Sequence, residues 1–302
     1  MSGQLSLFPP GNDNQTKEQR LKGEMNALDE VFSVHPRFRN ARSFTRMMQY
    51  IAGFSRYSAL NGFLLYLQNP NASRVATAGT WLKQHGRRLR PDAKPMVILA
   101  PMSPVLFLYD ISDTEGEPVP EHRITALDGI DSITRELLDL TVKNALHHGI
   151  GVRVSRSAEA AEAMRLTYDT RKRYEALDLD AGLKYLINVD GGVAVEQRYV
   201  SLTRQLGHIL CGHLGIDTLA WWQDRSGIDH DRAVIEAGAV AYLVCRRCGI
   251  QLDSTYILTG RDTPSEGLPL ISLNAIFHST HYIEQMGKGE WKQPKKQSRY
   301  QQ

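Results

Sequence analysis

Residues 198–213 read RYVSLTRQLGHILCGH, and this stretch decides the fold of the second half of the 302-residue chain. We predict that it lies in a helix running from Ala194 through Leu214. A second long helix is predicted over Asp231–Arg247 and carries Glu236. Histidine and carboxylate side chains are common zinc ligands, so this helix pair is the natural place to look for metal chemistry.

Helical zinc peptidases place two histidines four residues apart on one helix face, and a glutamate follows the first histidine. The glutamate takes a proton from the zinc-bound water. The stretch resembles the helix of the ImmA/IrrE-like metallopeptidases, which reads like R-x-x-T-L-A-H-E-x-G-H. That resemblance aligns His208 with the second histidine and Glu236 with the third ligand. Arg204 then stands at the first histidine and Gln205 at the glutamate.

Two of the four essential groups are therefore missing. Arginine does not ligate zinc because its guanidinium stays protonated, and glutamine is not a general base. We expect no bound metal and no catalysis, with His208 and Glu236 as residual metal candidates. An ion pair between Arg204 and Glu236 is hypothesised to tie the two helices together in place of zinc.

A zinc site moved to neighbouring residues is the alternative. Cys211 lies between His208 and His213 in the same stretch. The two histidines are five residues apart, so on a continuous helix their rings point in different directions. We therefore expect His208 to be a hydrogen-bonded core residue. Gly238 stands where the resembled family often carries another acid.

Charge divides the chain unequally. Residues 1–110 hold 14 Lys and Arg against 7 Asp and Glu, whereas the remainder holds 22 against 26. Between His35 and Lys94, eleven basic residues stand against a single acid, Asp92. A module this one-sided is expected to bind a polyanion, and nucleic acid is the usual one. Single-strand binders also need flat side chains for stacking, and aromatic residues alternate with the arginines here.

Five short motifs follow one another in the basic half: Y-S-x-x-N at 57–61, Q-N-P at 68–70, A-S-R-V at 72–75, a tryptophan at 81 and G-R-R-L-R at 86–90. Their order resembles the N-terminal domain of ArdC-type antirestriction proteins, which binds single-stranded DNA. The resemblance implies a set of DNA-contacting residues, to which the basic cluster adds Arg88 and Lys94: Tyr57, Asn61, Gln68, Arg74, Trp81, Arg87, Arg88, Arg90 and Lys94. The family's Lys-Gly-Glu-Lys-like turn is replaced by Pro91-Asp92-Ala93-Lys94.

The pattern of elements predicts an α+β fold. We expect a helical N-terminal module with a small β-hairpin or sheet, and a zincin-like C-terminal domain with a small sheet packed on helices. The predicted division is a tail at 1–14, a DNA-binding domain at 15–112, a linker at 113–125, a peptidase-like domain at 126–287 and a basic tail at 288–302. Three cysteines favour a reducing cytoplasm, and no apolar run is long enough for a membrane span.

The leading hypothesis is a single-stranded-DNA-binding protein that carries a catalytically dead peptidase fold. The dead domain would serve as a scaffold or as a surface for a protein partner, in the mobile-element or phage-conflict context that the resemblance implies. The alternative is an active metalloprotease with unusual zinc ligands that cleaves a regulatory protein. A third reading is a regulator that senses DNA and signals through the peptidase-like domain. Sequence leaves the oligomeric state open.

Overall fold

A computed structural model describes most of the chain. The described residues are 28–29, 40–100, 105–119, 135–155, 161–167, 170–171, 182–216, 220, 222–262 and 267–289. The predicted tail at 1–14, residues 120–125 of the predicted linker and most of the tail at 288–302 lie outside them. Helices and small sheets alternate along the described chain, and the predicted α+β class is confirmed.

The N-terminal half is built from short elements. Its helices are α1 (Ala41–Gly53), α2 (Ala59–Gln68) and α3 (Ala78–His85). Its strands are β1 (Val75–Ala76), β2 (Arg88–Leu89), β3 (Met96–Ile98), β4 (Leu106–Asp110) and β5 (Thr114–Glu115). Polar side chains cap the helix starts: Asn40 accepts from the backbone of α1, Ser58 from α2 and Thr77 from α3. The strands form an antiparallel sheet in the order β1-β4-β3 and a separate β2-β5 pair.

The C-terminal half begins with α4 (Arg135–Leu146) and a sheet of β6 (Ile150–Ser155), β7 (Glu162–Arg165) and β8 (Tyr185–Asp190). Strand β8 is central, parallel to β6 and antiparallel to β7. Three helices follow: α5 (Val195–Leu210), α6 (His230–Arg247) and α7 (Leu273–Met286). No helix among the described residues is long and apolar enough to cross a membrane.

Helices α1 and α2 lie between two apolar clusters. On one side Phe44, Met47 and Phe63 belong to the same buried cluster as residues of α5, α6 and α7. The rings of Phe63 and Phe277 lie 5.6 Å apart between centroids. On the other side Phe54 and Leu65 pack with residues of the β1-β4-β3 sheet. The two predicted domains therefore share a core through α1 and α2, while their boundaries remain a prediction.

A buried arginine connects the end of α6 with the end of α1 and with α7. Arg247, at the end of α6, donates hydrogen bonds to the backbone carbonyls of Ile51 (3.3 Å), Phe54 (3.2 Å) and Tyr57 (2.6 Å), which end α1 and lead into α2. Its Nε also lies 2.5 Å from the carboxylate of Glu284 on α7. The carbonyls of Ile51 and Phe54 already accept from the backbone N–H of Phe54 and Tyr57, and the guanidinium adds a second, charged donor at the negative end of the helix dipole.

Replacing Arg247 with Met is expected to lower the free energy of unfolding by roughly 3–5 kcal/mol, because Glu284 and the α1 carbonyls lose their buried partner. Urea unfolding followed by circular dichroism measures the change. Arg246→Met is the matched control, since Arg246 is the neighbouring, more exposed residue of the same helix, and it is expected to cost about 1 kcal/mol or less. Equal urea midpoints for the two variants would show that the contacts of Arg247 with the end of α1 and with Glu284 do not stabilise the protein.

Candidate functional site

Helix α5 stops earlier than predicted, and its end builds the site. The helix ends at Leu210 rather than at Leu214. Gly212 has a φ of 79°, in the left-handed region that favours glycine. A Cβ at this position would also overlap the carbonyl oxygen of Gln223. Both the backbone conformation and the lack of space therefore require glycine here. Glycine after a helix is a common stop signal, and it is the sequence clue that the predicted helix missed.

The turn folds one histidine back onto the other. The Nδ1 atoms of His208 and His213 lie 3.1 Å apart, and their rings meet edge to face at 5.3 Å. The expectation that the two rings point apart is therefore wrong, because it assumed an unbroken helix. The expectation that His208 is hydrogen-bonded is confirmed, although its partner is a second histidine.

Glu236 is the centre of the site. Its side chain is completely buried in the middle of α6. One carboxylate oxygen accepts from His213 Nε2 at 2.9 Å and from Arg225 at 2.5 Å. The other accepts from Arg225 at 2.6 Å, from the backbone N–H of Ser272 at 2.7 Å and from Arg232 Nε at 3.4 Å. Every lone pair of this carboxylate therefore has a donor.

These donors set the charge of the site. Burial alone would raise the pKa of Glu236, but the hydrogen bonds from His213 and Arg225 and the Arg225 charge prevail and lower this pKa to about 2. The carboxylate is therefore ionised at neutral pH, and the bidentate Arg225 guanidinium balances it. Arg225 lies in the loop between α5 and α6, and no periodic pattern in the sequence connects it with Glu236.

His208 and His213 are both uncharged at neutral pH. Burial, followed by the neighbouring His213 and Arg204, lowers the pKa of His208 to about 3. Burial also lowers the pKa of His213, against the opposite effect of Glu236. A neutral His213 that donates its Nε2 hydrogen to Glu236 has an unprotonated Nδ1, so the hydrogen between the two Nδ1 atoms belongs to His208.

Arg204 and Gln205 both contact backbone carbonyls away from Glu236. Arg204 donates to the carbonyl of Thr259 at 2.6 Å, and its guanidinium carbon lies 5.1 Å from the ring centre of Tyr256. The hypothesised ion pair between Arg204 and Glu236 is therefore wrong, because Arg225 takes that place. Gln205 donates to the carbonyl of Ala161 at 2.9 Å. Both side chains therefore hold backbone segments that lie next to α5.

Gly238 is explained by packing. A Cβ at this position of α6 would lie 2.5 Å from the carbonyl oxygen of Ile257, in the 3₁₀ helix Ser254–Leu258. No side chain fits in that gap, so the acid that the resembled family often carries has no room here. The close approach of the 3₁₀ helix thus depends on glycine.

Three residues of the site have the chemistry of metal ligands. Cys211, His213 and Glu236 each offer a ligand atom, and these atoms lie within 4.8 Å of one another. Their residue types fit a metal ion such as zinc, which is bound by sulfur, nitrogen and oxygen donors. In the described arrangement Glu236 is already held by Arg225. Burial raises the pKa of the Cys211 thiol to about 12, and its sulfur lies 3.3 Å from Ser279 Oγ.

Two predicted DNA contacts are part of the core instead. Trp81 is 0% exposed, and its indole N–H donates to the carbonyl of Tyr109 at 2.9 Å, so burial contradicts a base-stacking role. Arg87 is 9% exposed and donates to Thr114 Oγ1 (2.7 Å) and to the carbonyls of Gly116 (2.8 Å) and Glu117 (2.5 Å). Its guanidinium holds the segment that follows β5 and is not free to reach a phosphate.

Two amides cover the outer edge of β3. Asn61 accepts from the backbone N–H of Leu99 (3.0 Å) and donates to its carbonyl (2.9 Å). Gln68 does the same with Val97, at 2.7 and 2.8 Å. Each amide thus replaces a neighbouring strand, which is a structural role that the sequence motif did not reveal.

Of the remaining predicted DNA contacts, two side chains bind backbone carbonyls and three are exposed cations. The hydroxyl of the partly buried Tyr57 donates to the carbonyl of Val75 at 3.2 Å, and Arg74 donates to the carbonyl of Val119 at 2.9 Å. Arg88, Arg90 and Lys94 are exposed, and none of them forms an ion pair with another described residue. These three cations stay as predicted DNA contacts.

Comparisons with known proteins find few similar chains. No family model matches the sequence, and no curated protein matches it. Two crystal structures of the antirestriction protein ArdC from the R388 plasmid are similar. The metal-free structure is 11% identical with a TM-score of 0.38, over 80% of this chain and 96% of that chain. The Mn(II)-bound structure is 12% identical with a TM-score of 0.38, over 91% and 99%. Similarity at this level does not establish a family for the chain.

Replacing Glu236 with Gln is expected to destabilise the protein by roughly 3–5 kcal/mol at neutral pH, because Arg225 is left without its anion. The lowered pKa of Glu236 gives stability that is present above about pH 4.5 and lost as the pH falls towards about 2. The difference between wild type and variant should therefore shrink across that range.

Urea unfolding at a series of pH values measures this difference. Glu162→Gln, at an exposed position of β7, is the control and should change stability by about 0.5 kcal/mol or less. A difference between wild type and the Glu236 variant that does not vary with pH would show that Glu236 is not the ionised centre of the site.

Proposed function

We propose that this chain is a single-stranded-DNA-binding protein whose zincin-like domain is catalytically inactive. The observation that carries the proposal is the set of exposed cations Arg88, Arg90 and Lys94, which have no carboxylate partner among the described residues. Residues 40–100 hold nine Lys and Arg against one Asp. Such a surface attracts a phosphate backbone and releases its counterions on binding.

The residues around Glu236 support the proposed inactivity of the second half. Hydrolysis by a zincin requires an ion with an open position and a carboxylate that takes a proton from the bound water. Gln205 stands where that carboxylate is needed, and Arg204 points to Thr259. Arg225 supplies the positive charge that balances Glu236 in this arrangement.

The biological setting rests on the motifs at 57–90. By their resemblance to ArdC-type proteins, we place the activity in the cytoplasm during entry of mobile DNA, where it would protect DNA from restriction. In this proposal the peptidase-like half supports the DNA-binding half and offers a surface to a protein partner.

Replacing Arg88, Arg90 and Lys94 together with Gln is expected to weaken binding to single-stranded DNA and to reduce its salt dependence. Each phosphate contact contributes a slope of about 0.7 in a plot of log affinity against log salt, so three lost contacts should lower the slope by about 2. Fluorescence anisotropy with labelled single-stranded and duplex oligonucleotides measures both quantities.

The control replaces three exposed cations of the other half, Arg135, Lys143 and Arg153, with Gln. It carries the same change in net charge, so it should keep the affinity and the slope of the wild type. Absence of binding by the wild type at low salt would reject the DNA-binding proposal. Equal effects of the two triple variants would show that only net charge matters.

A metalloprotease with unusual ligands is the second candidate, and the Cys211, His213 and Glu236 cluster favours it. Under our proposal, protein dialysed against zinc or manganese and then desalted holds much less than one equivalent of either metal. Its melting temperature should not change when a chelator is added. Mass spectrometry of the metal content and calorimetry measure these quantities. One equivalent of metal, together with a chelator-sensitive melting temperature, would favour the second candidate.

A further inference from the structure

The β1-β4-β3 sheet has one covered face and one open apolar face. Met96, Ile98 and Leu108 point into the cluster beneath the sheet and are buried. Because side chains alternate along a strand, the residues between them lie on the opposite face. Phe107 on that face is 52% exposed, and the register places it directly opposite Val97.

The composition of the open face is unusual for a surface. Antiparallel sheets commonly turn one polar face to water. Here the described residues that alternate with the buried ones carry no acid and one cation: Arg74, Ala76, Pro95, Val97, Leu99, Val105, Phe107 and Tyr109. An exposed apolar patch with an aromatic residue on its central strand is typical of a binding surface.

We infer that this face is the platform on which bases of a single strand stack, with Phe107 and Tyr109 as the stacking rings; the inference rests on the proposed DNA binding. The two residues are neighbours on the same face of β4, roughly 7 Å apart along the strand. Flat rings accept any base, since every base has a π-face. These rings replace the buried Trp81 that the sequence pattern indicated.

Two cations lie near the Tyr109 end of this face. Arg74 precedes β1 on the open face, and β1 pairs with β4 at Tyr109. Beyond Tyr109, the turn after β4 holds Arg90, whose backbone N–H donates to the carbonyl of Asp113 at 2.9 Å. The carbonyl of Ser112 accepts from the Arg90 guanidinium at 3.4 Å. Proteins bind a single strand with aromatic rings that stack on its bases and with cations that contact its phosphates.

The same features disfavour other occupants. A peptide that adds a strand needs a free sheet edge, and the amides of Asn61 and Gln68 already cover the edge of β3. A second copy of this face would bring two positively charged modules together, which costs electrostatic energy. A polyanion with flat bases satisfies both the charge and the rings.

Phe107→Leu tests the inference, because leucine keeps an apolar side chain and removes the flat ring. The probe is a labelled oligothymidylate, compared with an abasic strand of the same length that keeps the phosphates and lacks the bases. We expect the variant to bind oligothymidylate about tenfold more weakly than the wild type, with the same salt slope. On the abasic strand the two proteins should bind equally.

Leu82→Ala on α3 is the control, since Leu82 is as exposed as Phe107 and lies outside the sheet. It should bind oligothymidylate like the wild type, and the melting temperatures of all three proteins should agree. Equal binding of oligothymidylate by wild type and the Phe107 variant would overturn the platform and leave the proposed function standing. A wild type that binds no single strand would overturn both.

Two further outcomes would overturn the platform alone. An equal loss of affinity on the abasic strand would show that Phe107 acts through the fold and not on bases. A wild-type dimer that the Phe107 variant converts to a monomer in sedimentation would assign the face to self-association.

Discussion

A buried carboxylate fixes the second half of this protein. Glu236 has no exposed surface, and an unpaired charge in that position would cost several kcal/mol. Its donors come from the turn after α5, from the loop before α6, from α6 itself and from the start of α7. These segments must therefore meet at one point. The glycine turn at 212 brings His213 back to this point.

Helices α6 and α7, which contribute to the surroundings of Glu236, also support the first half of the protein. Helix α6 presents Glu236 to one set of neighbours and, near its end, Arg247 to the carbonyls that close α1. Helices α1 and α2 rest on α6 and α7 with one side and on the sheet with the other. In this arrangement the C-terminal helices support α1 and α2, and the small sheet packs on the opposite side of those two helices.

The motifs between 57 and 90 mark architecture more than contact. Asn61, Gln68, Trp81 and Arg87 all bind backbone groups that shape the sheet and the turn after β5. Such a motif can identify a fold because these hydrogen bonds need particular side chains. The residues left to meet a ligand are exposed ones, Arg88, Arg90, Lys94 and Phe107, which the packing leaves uncovered.

By itself the sequence determined the α+β class, the helix over Asp231–Arg247 and the excess of positive charge in the first half. These properties follow from periodicity, composition and side-chain chemistry, which are local. Only the tertiary structure decided that Arg225 binds Glu236, that His213 folds back onto His208 and that Phe107 is open while Trp81 is closed. Such partnerships join residues far apart in the chain or separated by a turn, and burial is a property of the whole packing.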